Sequence, residues 1–232
     1  MAAQPTPAHP AAMTAQVSPQ ADPQTTTATT TASPLPKPIF TAPRLLVRPL
    51  HPQDAPSMSR HADNPKVTEY MSLGFPSPYT LEAAHDWINM NLAPPILNWA
   101  ICLSSSPETV VGGCGLKPGV DVQSHCAEIG YWIGEEHWGK GLITEMLRAL
   151  TDWVFRSPHS LLAGEQGKRW TRLWGGIFQE NKGSMRCFEK CGYVREGVLR
   201  GAVEKHGEAS DMVVYGLLKH EWEMELLKTT VI

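Results

Sequence analysis

From Ala127 to Phe155 the sequence passes from a strand-like run rich in isoleucine, tyrosine and tryptophan, through a glycine-bearing turn, into a helical pattern. That succession limits the possible folds more than any other stretch of the chain. The strand, Ala127 to Ile133, ends at Gly134; the helix runs from about Gly139 to Phe155 and aligns Leu142, Met146, Ala149, Leu150 and Trp153 in one apolar stripe. Between them lies Trp138-Gly139-Lys140-Gly141. Two glycines let the backbone approach a ligand closely, and the N–H groups of the first helical turn, with the positive end of the helix dipole, suit a pyrophosphate. Lys140 adds a positive charge nearby. A close-packed turn with no ligand uses the same residues, and neither a GxxxxGK[ST] loop nor a GxGxxG fingerprint is present.

The pattern before and after this unit completes an α/β domain. Residues 1–43, dominated by Pro, Thr, Ala and Gln, read as a disordered tail that buries too little surface to offset its ordering entropy. Arg44 to Leu50 reads as a first strand, followed by a short helix near Ala55 to Ala62. A second helix is N-capped by Thr80 and ended by Pro94-Pro95. Strands are expected near Asn98 to Leu103 and Thr109 to Lys117 as a hairpin. After the helix that follows the glycine turn come a polar insertion, His159 to Arg169, a strand at about Thr171 to Phe178, and a helix from Lys182 to Cys191 stopped by Gly192. Strands near Tyr193 to Arg200 and Asp211 to Leu218 and a last helix close the chain. The sum is one domain, 44–232, built on a mixed, largely antiparallel twisted sheet of six or seven strands with helices on both faces.

Composition excludes several classes of function. A net charge of -3 and a pI near 6.3 argue against wholesale nucleic-acid binding. There is no apolar run long enough for a membrane span, no signal-peptide h-region, and no arginine before Arg44, so the expected location is cytoplasmic. Five cysteines read as reduced thiols, and without a CxxC, HExxH or other ligand spacing no metal site is expected. Trp87, Trp99, Trp132 and Trp153 read as core or pocket wall, and Glu204, Lys205, His206, Glu208 and Asp211 as a solvated hairpin loop.

A second segment, Asn181-Lys182-Gly183-Ser184-Met185-Arg186-Cys187-Phe188-Glu189-Lys190-Cys191-Gly192-Tyr193, follows the glycine turn at a distance. Together the two segments resemble the GNAT superfamily of acetyltransferases, in its RimJ/RimL-like branch, over roughly residues 44 to 220. The resemblance implies a GNAT-type sheet whose fourth and fifth strands splay apart around acetyl-CoA. It implies that Tyr131, Trp132 and Ile133 face the donor, with the Ile133 backbone N–H on the thioester carbonyl. Trp138, Gly139, Lys140, Gly141, Leu142, Ile143 and Thr144 match the stretch that wraps the pyrophosphate; Trp138 replaces the family's Gln or Arg, and Ile143 its small final residue. Asn181 matches the residue that bonds the pantetheine arm, and it equally suits a helix N-cap. Ser184 matches a residue near the thioester sulfur.

Many relatives carry a thiolate-protonating tyrosine where this chain has Phe188, which has no proton to give. Ser184, one helical turn earlier, is the candidate general acid, directly or through a water, or else a simple partner of the cofactor. Glu128 is the candidate general base, because an alkylamine is mostly protonated at neutral pH; a structural ion pair is its other reading. The resemblance thus implies direct acetyl transfer to a primary amine, on a protein N-terminus or a small molecule, by a monomer or homodimer. The alternative is a non-catalytic acyl-CoA-binding or sensing module.

Overall fold

The computed structural model describes residues 33–157 and 170–230. The tail up to residue 32 and the insertion expected at His159 to Arg169 lie outside the described residues. Eight strands form one sheet: β1 (Phe40–Thr41), β2 (Leu45–Pro49), β3 (Asn98–Leu103), β4 (Ser106–Pro118), β5 (Cys126–Ile133), β6 (Arg172–Phe178), β7 (Val194–Lys205) and β8 (Glu208–Leu218). Their order is β1-β2-β3-β4-β5-β6-β8-β7, with every neighbouring pair antiparallel except β5 and β6. The helices are α1 (Ala55–Ala62), α2 (Pro65–Thr68), α3 (Leu81–Met90), α4 (Leu142–Arg156), α5 (Lys182–Lys190) and α6 (Lys219–Thr230).

The expected α/β architecture is present with one strand more than six or seven. The added strand is β1, inside the stretch assigned to the tail. Phe40 and Thr41 pair with Val47 and Leu46, and the Phe40 ring lies 5.8 Å from that of Trp153 on α4. Backbone pairing, with the Ile39 and Ala42 amides donating to Val47 and Leu45, and the packing of Phe40 hold on the sheet a segment whose composition looked structureless.

Period-two alternation on the strands divides the core into two layers. Trp99 and Ile101 of β3 join Met146, Leu147 and Leu150 of α4 on one face, while Ala100 and Cys102 join Met58 of α1 and Ile88 of α3 on the other. Thr80 caps α3 as its sequence predicts, its Oγ1 accepting from the Ala83 amide at 3.1 Å. Asn64, ahead of Pro65, caps the unexpected short α2 in the same way.

Two ion pairs fix strand positions. Arg48 is only 1% exposed on β2; its Nη2 and Nη1 donate to Asp54 Oδ1 and Oδ2 at 2.7 and 2.9 Å, and Asp54 also accepts from the His51 amide. Arg172 of β6 reaches Glu196 of β7 at 2.6 Å across the intervening β8, over Gly216, where an added Cβ would collide with both side chains.

The stretch expected as a solvated loop is instead strand. β7 and β8 continue to a tight turn at His206 and Gly207, which have φ of +56° and +82°. Asp211 Oδ1 accepts from the Gly201 amide at 2.9 Å, and Lys205 donates through Nζ to the carbonyls of Thr68 and Met71. These inward anchors turn a charged sequence into the edge of the sheet.

Candidate active site

The parallel pairing of β5 and β6 is short. Only Cys126, Ala127 and Glu128 face partners, namely Arg172, Leu173 and Trp174; beyond them no pairing joins the two strands. The gap between these strands is the expected splay, one number later in the chain because β1 precedes it. It belongs to a cleft of ≈ 1650 Å³ lined by residues of β5, β6, α4, α5 and the segment from Lys66 to Tyr79. The Gly134 amide donates to Val111 on the β4 side at 2.9 Å, so alternation turns the amides of Ile129, Tyr131 and Ile133 toward the open edge.

At the far end of β5 a short 3-10 turn, Glu135–His137, leads to the glycine pair. Gly139 and Gly141 both adopt left-handed backbone, φ +71° and +75°, and α4 begins only at Leu142. A Cβ would meet nothing within 4 Å at Gly139 and only Arg44 Nη2, at 3.6 Å, at Gly141. Backbone conformation rather than crowding is therefore what demands glycine, and the space outside the turn is open for a ligand. Leu142 and Ile143 are buried and pack into the core, and both also line the cleft. Trp138 Nε1 donates to the Ile133 carbonyl at 2.8 Å, closing the turn against the end of β5.

Arg44, which the sequence marked only as the start of a strand, braces this turn. Its Nη1 donates to the Lys140 carbonyl at 2.9 Å, and its backbone N and Nε donate to Glu145 at 2.6 and 2.8 Å. The partners are about a hundred residues apart in sequence, and no local pattern announces them.

On the other arm of the fork, Asn181 caps α5: its Oδ1 accepts from the Ser184 amide at 3.0 Å. Ser184 Oγ lies 2.6 Å from Tyr131 Oη. Burial pushes the Tyr131 phenol above its ordinary range, so it stays protonated, and its ring stacks on Phe188 at 6.0 Å between centroids. Phe188 is 2% exposed among Tyr131, Tyr193 and Tyr215, with its ring tip filling the place a side chain at Gly175 would need. It is a core residue. Tyr131 brings a phenol to Ser184 from β5, a connection the sequence pattern did not reveal because the two lie 53 positions apart.

Glu128 sits where β5 and β6 part. It lines the cleft with a 30% exposed side chain, and its ion pair with the exposed Lys117 is long at 3.8 Å. Cys102, Cys114 and Cys126 are buried, and desolvation raises all three thiols, Cys102 to about 12, so none is a poised thiolate. At the cleft's edge, His61 of α1, Glu136 and His137 come together: His61 Nε2 lies 2.6 Å from Glu136 Oε1, and His137 Nε2 lies 3.5 Å from the same oxygen. No metal site was expected from local spacing, and this group escaped that reading because His61 joins from 75 residues away.

Residues 44–194 match the family model described as the acetyltransferase (GNAT) domain. The chain belongs to the GNAT acetyltransferase family. It is 29% identical over 184 residues to an uncharacterized N-acetyltransferase, p20, of Bacillus licheniformis, covering 77% of this chain and 95% of that one. A GNAT-family acetyltransferase from Bacillus anthracis superposes with a TM-score of 0.66 at 22% identity, over 78% of this chain and 99% of the other. RimL, a ribosomal L7/L12 alpha-N-protein acetyltransferase in complex with coenzyme A, superposes with a TM-score of 0.62 at 17% identity, over 78% of this chain and 98% of RimL. The GNAT chain is an acetyl-CoA-dependent N-acetyltransferase of the RimJ/RimL-like branch. No helix among the described residues is long and apolar enough to cross a membrane.

Proposed function

We propose that this GNAT enzyme transfers acetyl from acetyl-CoA directly to a primary amine, on a protein N-terminus or a small molecule, with Ser184 as general acid and Glu128 as general base. The observation that carries the reading is the 2.6 Å contact between Ser184 Oγ and Tyr131 Oη at the open fork. A phenol is the more acidic of the two hydroxyls, so in this reading Tyr131 donates to Ser184, which leaves the single Ser184 hydrogen to point elsewhere. That hydrogen is the one available to a departing thiolate, which Phe188 cannot protonate.

The donor, acetyl-CoA, supplies an activated thioester. Backbone amides at the start of α4, behind Gly139 and Gly141, suit its pyrophosphate, and Lys140 adds charge beside them. The outward amide of Ile133 suits a developing carbonyl charge. Asn181, engaged as a cap, fixes the first turn of α5 and with it Ser184. Glu128, weakly paired, is left to accept a proton from an ammonium group directly or through water.

Aromatic side chains line the acceptor side, where Phe75 packs edge-on against Trp132 at 6.0 Å and Tyr70 lies 5.9 Å from Phe178. Asp86, Glu180 and Glu204 line the same cleft, so an amine with apolar neighbours fits its chemistry. A screen of N-terminal peptides, polyamines, amino sugars and aromatic amines with labelled acetyl-CoA, scored by label transfer and thiol release, tests the reading. Transfer to one amine class that falls in Glu128→Gln and Ser184→Ala is expected; turnover unchanged in both variants would overturn the assigned roles.

A further inference from the structure

We infer that His61, Glu136 and His137 form a binding site for a divalent transition-metal ion of the zinc class, at the seam between α1 and the turn preceding Trp138. The decisive feature is the hydrogen-bond arithmetic at His61. Its Nδ1 lies 2.9 Å from the Ser57 carbonyl, which only accepts, so Nδ1 carries a hydrogen. Its Nε2 lies 3.2 Å from Arg60 Nη2, which only donates, so Nε2 presents a lone pair. Yet the same Nε2 lies 2.6 Å from a carboxylate oxygen of Glu136, another lone pair. At 2.6 Å the two atoms fit a shared hydrogen, supplied by a second proton on the ring; a metal ion would take its place only with the two atoms drawn farther apart.

His137 separates the two choices. Its Nε2 is buried without a hydrogen-bond partner among the described residues, 3.5 Å from the same Glu136 oxygen. A proton on His61 satisfies only His61 and Glu136, whereas a metal ion also gives the orphaned nitrogen a bond.

The surroundings match those of a metal ligand set. The Ser57 carbonyl fixes the His61 tautomer and ring direction, as an outer-sphere partner of a ligating histidine does. Two imidazoles and one carboxylate suit zinc and its neighbours rather than magnesium or calcium. The three ligand atoms lie within 4.8 Å of one another, and four-coordinate zinc, with bonds of about 2.0–2.2 Å, draws its ligands to roughly 3.4 Å apart. His61 Nε2 and Glu136 Oε1, now 2.6 Å apart, must separate to reach that spacing, a movement open to Glu136, whose side chain is 63% exposed. Arg60, on the surface, has room to swing aside. His137 also lines the cleft. Gly134 permits the close approach: a Cβ there would stand 2.9 Å from the His61 ring.

The test is titration of the full chain, stripped with chelator, with Co²⁺ followed by visible spectroscopy and with Zn²⁺ by calorimetry. One equivalent is expected, with a ligand-field spectrum lacking thiolate-to-cobalt charge transfer. His137→Gln is expected to lose that equivalent while melting within a few degrees of the parent, and His61→Gln to lose it too. No saturable binding, a thiolate band placing the ion on cysteines, or binding unchanged in His137→Gln would each overturn the site. The outcome is independent of acetyl transfer.

Discussion

Tyr131 on β5 and Ser184 on α5 touch through their hydroxyls at 2.6 Å, one from each arm of the fork. If Tyr131 orients the Ser184 hydrogen, Tyr131→Phe lowers kcat about tenfold while KM for acetyl-CoA stays within a few-fold. Ser184→Ala is expected to cost roughly 10- to 1,000-fold in kcat with the same preserved donor affinity. Steady-state and single-turnover kinetics measure both; full single-turnover rates in either variant would remove that residue from the proton path.

Phe188→Tyr offers a direct view of why the family's tyrosine is missing. The ring tip already occupies the space beside Gly175, so an added hydroxyl overpacks that site and costs about 1–3 kcal/mol. Denaturant melts give the value. No loss of stability would mean that the pocket has room for the phenol, and then the double variant Ser184→Ala, Phe188→Tyr should regain part of the lost turnover.

Gly141 carries a left-handed φ of +75° at the mouth of α4. Gly141→Asn tolerates that conformation and is expected to weaken coenzyme A binding only a few-fold; Gly141→Asp, which adds a negative charge, should weaken it tenfold or more. Calorimetry on folded variants decides. Equal affinities would move the pyrophosphate away from this turn.

Arg48 and Asp54 form a buried, bidentate pair, and removing one partner strands the other. Asp54→Ala is expected to destabilise by about 3–5 kcal/mol, and the double variant Arg48→Met, Asp54→Leu by less than Asp54→Ala alone. Urea unfolding measures both. A loss below about 1 kcal/mol for Asp54→Ala would show that water reaches the guanidinium.

The Arg172–Glu196 pair predicts a pH signature. Hydrogen bonding to Arg172 holds the Glu196 carboxyl below its ordinary 4.5, so its stabilising contribution is present above that value and is lost as pH falls through the lowered one. Both groups are partly exposed, which limits the effect to under about 1 kcal/mol. Relative to Glu196→Gln, the parent should therefore lose its small advantage in melting temperature on acidification. An advantage that does not shrink at all on acidification would contradict the pairing.

Much of this fold was legible because its signals are local. The alternation of Ala127 to Ile133, the stripe on α4, and the caps at Thr80 and Asn181 each work within one or two turns of chain. The glycine turn was legible for the same reason. What escaped depends on partners far away in sequence: Phe40 packs on Trp153, Lys205 reaches two carbonyls of the α2 region, and Arg44 reaches Lys140 and Glu145. The hydroxyl of Tyr131 and the ring of His61 belong to that group, and their chemistry exists only once the sheet has formed.

The brief parallel pairing at Cys126–Glu128 and Arg172–Trp174 has a mechanical consequence. Within the sheet it is the only seam joining the five strands on one side to the three on the other, so it acts as the pivot of a pair of tongs. Jaws that open or close on ligands of different bulk move most at their tips and least at the pivot. Glu128 stands at that joined end, as the last residue of β5 paired with β6, so its carboxylate sits where the two arms meet rather than at their tips.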